Sequence, residues 1–327
     1  MQRRRRATVF LSHLDPLSLA TSIHRAGNEW LAAEHPFGTP DDLVATVRTI
    51  RKLQPAAVVV VAPQVTTEYL DTIRGTGVMV VVLDSTAATA LPVDLVVNPL
   101  MGVRRHDYQA PFGTQFLCGH KYALVRPLVR KMRPIRAQEP PQPFRALIAL
   151  GDDDAGQALE RAQQLLATSR IERVDVATRN FHPCWEELQA LKESSNGRLE
   201  VVTEPGEISA RIGRAHLALT AGDNWALEMA CVGIPQLVLT QSERHVLNAQ
   251  RLDDLGVGMF LGEAKTVTAN ALRQAVNHVL NHPEERSTMA RCGRKLIDAR
   301  GPDRFVNAVE ILLHPAANKR AGVRLVA

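Results

Sequence analysis

Two glycine turns loaded with acidic residues carry the densest chemical signal in this chain. The stretches "LIALGDDDAGQAL" and "LALTAGDNWALEMA" each read as an apolar strand, a glycine turn and a helix. Such a turn presents free backbone N–H groups, and the helix dipole adds partial positive charge, so Gly151 in the first turn and Gly222, Asp223 and Asn224 in the second could hold an anion. The acids oppose that use. Asp152, Asp153 and Asp154 crowd the first turn and Asp223 the second; one like-charge pair at ~4 Å costs about 4 kcal/mol at an effective dielectric near 20. Aspartate and asparagine also cap helices, so these residues serve either a ligand or the helix ends themselves. Neither turn has the spacing of a dinucleotide fingerprint or a Walker P-loop, which argues against both.

Glu228, Arg244, His245 and Asn248 follow the second turn. Read alone, Glu228 is an ordinary helix acid. Arg244 could offset the acidic turns by approaching a phosphate, or pair with Asp223 and close the site. His245, with an ordinary pKa near 6.5, could act as acid or base at neutral pH. His13 and Asp84 end two apolar strands, "TVFLSH" and "VMVVVLD", and are the remaining catalytic candidates.

The elements that position these residues alternate along the chain. Apolar runs such as "AAVVVVA", "VMVVVLD" and "VDLVVNPL" suit parallel strands buried on both faces, and helical patterns separate them. A doubly wound α/β architecture is expected. Ligands in such sheets lie beyond the carboxyl ends of the strands, here Ser12 and His13, Pro63 and Gln64, and Asp84 and Ser85. Thr39 is placed to cap a helix, with Pro40 at its first position and Asp41 and Asp42 in its first turn. The stretch "RPLVRKMRPIRAQEPPQPFR", rich in proline and arginine, reads as an interdomain linker. Two α/β domains are therefore expected, over residues 1–140 and 141–327.

Composition narrows the partners. The 327 residues carry a net charge of +5, but aromatics are only 4% and no basic-aromatic interleaving appears, so no nucleic-acid partner is expected. No apolar run reaches the ~20 residues of a membrane helix. The basic start lacks a secretory signal's apolar core, so a cytoplasmic location is expected. Arg3 to Arg6, Arg104, Arg105 and the tail "NKRAGVRLVA" could touch anionic headgroups; for the arginine run at the start, a solvated terminus is the plainer reading. Cys118, Cys184, Cys231 and Cys292 form no C-x-x-C pair and read as reduced thiols, so neither a metal site nor a cofactor is expected.

From about residue 80 onward the chain resembles the UDP-sugar hydrolases of pseudaminic acid biosynthesis and their spore-coat polysaccharide relatives, and more distantly the MurG-type glycosyltransferases. The resemblance rests on "VVVLDSTAATALPVDLVVNP", on Gly119, Tyr122, Leu124, Val125 and Arg126 in "FLCGHKYALVRPLVRKMR", on "ALIALGDDD", on "LTAGDNWALEMACVGIPQLVL" and on "LIDARGPDRFVNAVEIL". It implies a GT-B fold, two Rossmann-like domains facing a cleft. It also implies that Glu228 holds ribose hydroxyls, that Gly222, Asp223 and Asn224 face the diphosphate, and that Gly151 lies across the cleft floor. The chain departs from that family in three places. The family's first strand and its glycine-rich histidine loop have no counterpart, the second glycine of each phosphate turn is Asp152 or Asp223, and Arg244-His245 replace an Asn-Gln pair. The Asn248-Ala249 pair instead resembles the glycosyltransferases. The resemblance implies a nucleotide-sugar hydrolase or transferase acting on a UDP-sugar or related donor. The departures allow the alternative, a non-catalytic protein of the same fold that binds a sugar nucleotide or a protein partner.

Overall fold

A computed structural model describes residues 7–14, 17–61, 65–86, 90–151, 154, 156–178 and 182–314. Arg3 to Arg6, Pro63, Gln64, Asp152, Asp153 and the tail from Asn318 lie outside the described residues. The chain divides into two compact units, residues 1–98, 104–117 and 303–327 in the first and residues 99–103 and 118–302 in the second.

The first unit holds β1 (Val9–Ser12), α1 (Ser18–Arg25), β2 (Glu29–Ala32), α2 (Pro40–Leu53), β3 (Ala57–Val60), α3 (Thr67–Arg74), β4 (Met79–Leu83), β5 (Leu95–Asn98) and β6 (Gln115–Cys118). Its strands form a parallel pair β1-β2 and a separate four-stranded sheet in the order β3-β4-β5-β6. Thr39 caps α2 by accepting from the Asp42 N–H at 3.2 Å, and Pro40 fills the first helical position, where its missing N–H costs nothing. The Tyr69 hydroxyl on α3 donates to Asp42 at 2.9 Å, tying the two helices together, and burial pushes its pKa up to about 12.

The second unit opens with α4 (Pro127–Ile135), then alternates β7 (Phe144–Ala149), α5 (Gln157–Leu166), β8 (Ile171–Ala177), α6 (Trp185–Ser194), β9 (Leu199–Val202), α7 (Pro205–Arg214), β10 (Leu217–Thr220), α8 (Asn224–Val232), β11 (Gln236–Thr240), α9 (Glu243–Asp254) and β12 (Met259–Glu263). It then runs through α10 (Ala269–Asn281) and α11 (Pro283–Leu296), and α12 (Gly301–Leu313) carries the chain into the first unit. All six strands are parallel, in the order β12-β11-β10-β7-β8-β9. Successive strand residues point to opposite faces, so β7 sends Leu147 and Ala149 into one core and Ala146 and Ile148 into the other. β10 and β11 divide in the same way, with Ala218 and Val238 on the first face and Leu219 and Leu239 on the second. Burial on both faces is why these strands lack polar alternation.

The stretch read as a linker is instead a packed helix. Pro127 sits at the first position of α4, Val129 is buried, and the Arg133 guanidinium donates to the carbonyls of Cys231 at 2.8 Å and Ile297 at 2.6 Å. Those bonds satisfy orphan carbonyls near the ends of α8 and α11. The segment 118–140 accordingly packs within the second unit, and the boundary expected at residue 140 falls inside that unit.

Candidate functional site

The strand order of the second unit reverses direction between β7 and β10. The chain builds outward from β7 through β8 and β9, then returns to start β10 on the other side. Such a switch point leaves a crevice above the carboxyl ends of the two central strands, where open α/β sheets bind their ligands. Gly151 follows β7 there, and Ala221, Gly222 and Asp223 follow β10. The structure therefore brings the two glycine turns together.

Their geometry demands glycine. Gly222 has φ +75°, and an added Cβ would lie 3.1 Å from the Ala249 side chain and 3.2 Å from the His245 carbonyl oxygen. Gly151 has φ +76°, and a Cβ there would overlap the Asp223 carboxylate. Asp223 caps α8, its Oδ1 accepting from the Trp225 N–H at 2.9 Å. Asp154 is buried at the head of α5, accepts from the Ala158 N–H at 3.1 Å and pairs with His182 Nε2 at 2.9 Å. The other ring nitrogen of His182 accepts from the Cys184 N–H at 3.1 Å, so the proton on Nε2 is the one donated to Asp154. Both helix N-termini thus carry a carboxylate of the protein's own.

Glu228 and Asn248 are fully buried and heavily bonded. Glu228 accepts from the Arg126 backbone N–H at 2.8 Å and from Arg126 Nε at 3.0 and 2.9 Å, one contact to each oxygen, with Nη2 at 2.5 Å. A carboxylate offers about four acceptor positions, so Arg126 fills this one. The same guanidinium lies 3.9 Å above the Trp225 ring, a cation–π contact at the head of α8. Asn248 donates to the Gly222 carbonyl at 2.7 Å and accepts from the Met101 N–H at 2.9 Å, which fixes the turn and the segment 99–103 together.

The other sequence candidates are placed as follows. Arg244 stands half-buried in the first turn of α9, and His245 beside it is buried. In the first unit, His13 Nε2 contacts the His35 carbonyl at 2.9 Å on an exposed surface. Asp84 there accepts from the Tyr108 hydroxyl at 2.7 Å and from Thr86 at 2.9 Å, the Tyr108 oxygen in turn accepting from Asn98 at 2.8 Å.

Asn224, which the sequence singles out, is joined by two residues that sequence reasoning passed over, Thr240 and Gln241. Among the described residues, Asn224 Oδ1, Thr240 Oγ1 and both amide atoms of Gln241 are buried without a hydrogen-bond partner. They stand at the head of α8 and at the carboxyl end of β11, the strand beside β10. Buried polar atoms are normally satisfied, so a cluster without partners calls for a bound polar molecule or water. The one local signal was position, since Thr240 and Gln241 close an apolar strand as Thr220 and Ala221 do.

The fold has known counterparts. Acinetobacter baumannii MurG superposes with a TM-score of 0.57 at 14% identity, over 93% of this chain and 99% of that one. The spinosyn rhamnosyltransferase SpnG, solved with thymidine diphosphate, gives 0.58 at 18% identity over 93% and 100%. The chain has the fold of the GT-B glycosyltransferases. Residues 220–312 match the family described as erythromycin biosynthesis protein CIII-like, C-terminal domain. The spore coat polysaccharide biosynthesis protein SpsG of Bacillus subtilis (strain 168) is 23% identical over 214 residues, 64% of this chain. The match spans 62% of that relative's length.

Proposed function

We propose that the protein processes a nucleotide sugar in glycan biosynthesis, and that the second unit holds the nucleoside diphosphate above β7 and β10. The observation that carries this reading is a pair of buried donors without partners beside the switch point, Thr240 Oγ1 and Gln241 Nε2; the orphan oxygens Asn224 Oδ1 and Gln241 Oε1 accept instead from hydroxyls of the ligand. A diphosphate there accepts from the turn N–H groups at Gly151 and Gly222, with the α8 dipole and Arg244 supplying positive charge. The same donors stabilise the leaving diphosphate as the bond to the sugar breaks, whether water or an acceptor hydroxyl attacks. Glu228 takes the ribose hydroxyls once Arg126 turns aside; the Arg126 side chain is 40% exposed and has room to move. Asn248 holds the turn that makes these contacts. The donor is a UDP-sugar or a thymidine diphosphate sugar. The finer reading, hydrolysis of a UDP-sugar, rests on motif order alone, and its place in the cytoplasm on the basic start's lack of a secretory apolar core.

Calorimetric titration of the whole chain with UDP and with thymidine diphosphate tests this reading. One equivalent should bind, and Gln241→Ala should weaken it at least about tenfold through the loss of one charge-assisted hydrogen bond. Absence of binding by either nucleotide would remove the proposal.

A second reading, a binder without turnover, is favoured by the Asp154 and Asp223 carboxylates at the two helix ends, which oppose a diphosphate. Release of free nucleotide from a panel of UDP- and thymidine diphosphate sugars, measured on a chain that binds, separates the two.

A further inference from the structure

The end of α10 brings two histidines and a glutamate to one point on the surface. His278 stands in the last turn of α10 and His282 is the residue that ends it, with ring centroids 4.3 Å apart. Pro283 then starts α11, and that turn of the chain carries Glu285 back onto His278, with Nε2 and Oε2 2.8 Å apart. One ring nitrogen from each histidine and a Glu285 oxygen all lie within 4.8 Å of one another.

We propose that His278, His282 and Glu285 form a surface binding site for a first-row transition-metal dication, of which Zn²⁺ suits the donors best. Two imidazoles and a carboxylate are the nitrogen and oxygen set that zinc takes with three protein ligands and one open position. His282 Nδ1 lies 2.7 Å from the His278 carbonyl, to which it donates. That bond fixes the tautomer, orients the ring and leaves the Nε2 lone pair for an ion, as outer hydrogen bonds do for metal-binding histidines. The His278–Glu285 ion pair and the His282 bond to the His278 carbonyl account for the contacts the three residues make, but neither uses the His282 Nε2 lone pair. As a surface pair at 43% and 42% exposure, that ion pair would also contribute little.

Binding requires the side chains to adjust. Tetrahedral ligands about 2.0–2.1 Å from zinc stand roughly 3.3 Å apart, so the 2.8 Å His278–Glu285 contact must open by about 0.5 Å and donors as far as 4.8 Å apart must close by up to about 1.5 Å. His278 Nε2 gives its proton to solvent as the metal takes its place. Nearby positive charge is already committed, because Arg286 is bound to Glu139 at 2.6 Å and to the carbonyls of Val279 and Leu280. The cysteine spacing that argued against a metal site is silent about H-x-x-x-H-x-x-E, the pattern found here.

The test is calorimetric titration of the full chain, stripped with chelator, with zinc chloride. The expected result is one equivalent bound, weakened at least about tenfold in both His282→Ala and Glu285→Gln. Glu285→Gln keeps the side-chain shape and decides the matter if His282→Ala loosens the helix end. Visible absorption with Co²⁺ should show a four-coordinate ion without a thiolate charge-transfer band. No binding by the unaltered chain would overturn the proposal. So would binding that both variants leave unchanged, or a thiolate band, since either places the ion on other residues.

Discussion

The two units of this chain solve the same α/β problem with different sheets. The second unit has six parallel strands with β7 at the centre, flanked by β8 and β9 on one side and β10, β11 and β12 on the other. In the first unit the chain order is similar, but β2-β1 and β3-β4-β5-β6 are separate sheets. If β1 and β2 correspond to β8 and β9, and β3 to β10, the place taken by β7 has no strand among the described residues of the first unit. Apolar side chains are left exposed along both margins of that place, Phe10 at 43% on β1 and Val59 at 40% on β3. The difference locates function. The strand at the switch point carries Gly151, so only the second unit, among the described residues, has two glycine turns meeting over adjacent strands.

Hydrogen exchange should show the largest contrast. β7 is paired on both sides, whereas β3 is an edge strand whose outward amides face no neighbour. At neutral pH, amides of Leu147 and Ile148 should exchange at least about a hundredfold more slowly than the one of the adjacent Val58 and Val59 amides that points away from β4, because core strands open only near global unfolding. Equal protection would end the comparison. The next contrast is between two polar anchors. Arg126→Ala leaves the Glu228 carboxylate buried and uncompensated, a loss of about 3 kcal/mol after allowing for the exposed part of the guanidinium. Tyr108→Phe in the first unit removes the hydrogen bond to Asp84 and the one the Tyr108 oxygen accepts from buried Asn98, and should cost about 2 kcal/mol. Urea midpoints of the two variants check both figures.

What the sequence disclosed follows from the range of each interaction. Helix α2 was legible because Thr39 and Pro40 act within four residues, and the buried strands because continuous apolar runs need no partner to be recognised. Helix α4 was not: prolines and arginines give a linker's composition, while the groups that hold it, such as the Ile297 carbonyl beside Arg133, come from elsewhere in the chain. The site divides in the same way. Gly222 and Asp223 were visible as a turn and a cap, but the Arg126–Glu228 clamp joins residues 102 apart and the Asp154–His182 pair residues 28 apart. Asn248 drew attention as a ligand candidate, whereas both ends of its amide serve the fold.

Gly222→Ala should have an intermediate effect. The substitution puts a side chain at φ +75° among neighbours at 3.1–3.3 Å, for a cost of about 1–2 kcal/mol from the backbone alone. Gly113 in the first unit also has positive φ, +99°, but nothing within 4 Å of an added Cβ. Gly113→Ala should therefore pay for strain only, and the excess loss in Gly222→Ala, read from urea midpoints, measures how tightly the site turn is packed.

The smallest effect is a dependence on pH that belongs to the second unit. His216 is buried just before β10, where its Nδ1 accepts from the Arg145 N–H at 3.1 Å and its Nε2 donates to the Pro140 carbonyl at 3.0 Å. It thus joins β10 to β7 at the end opposite the glycine turns. Burial lowers its pKa in the folded protein, outweighing the carbonyl bond that favours the charged form. The unfolded chain then binds a proton more readily than the folded one, so this stability is complete above about pH 6.5 and is lost as pH falls through the folded value. Protonation also turns Nδ1 from acceptor to donor and breaks the bond to Arg145. Among the described residues every buried histidine lies in the second unit, so acid should loosen β7 and β10 while leaving the anchors of β4 and β5 intact. Urea midpoints at pH 7.5 and pH 5 should differ less in His216→Gln than in the unaltered chain; an equal difference would assign the acid sensitivity to another group.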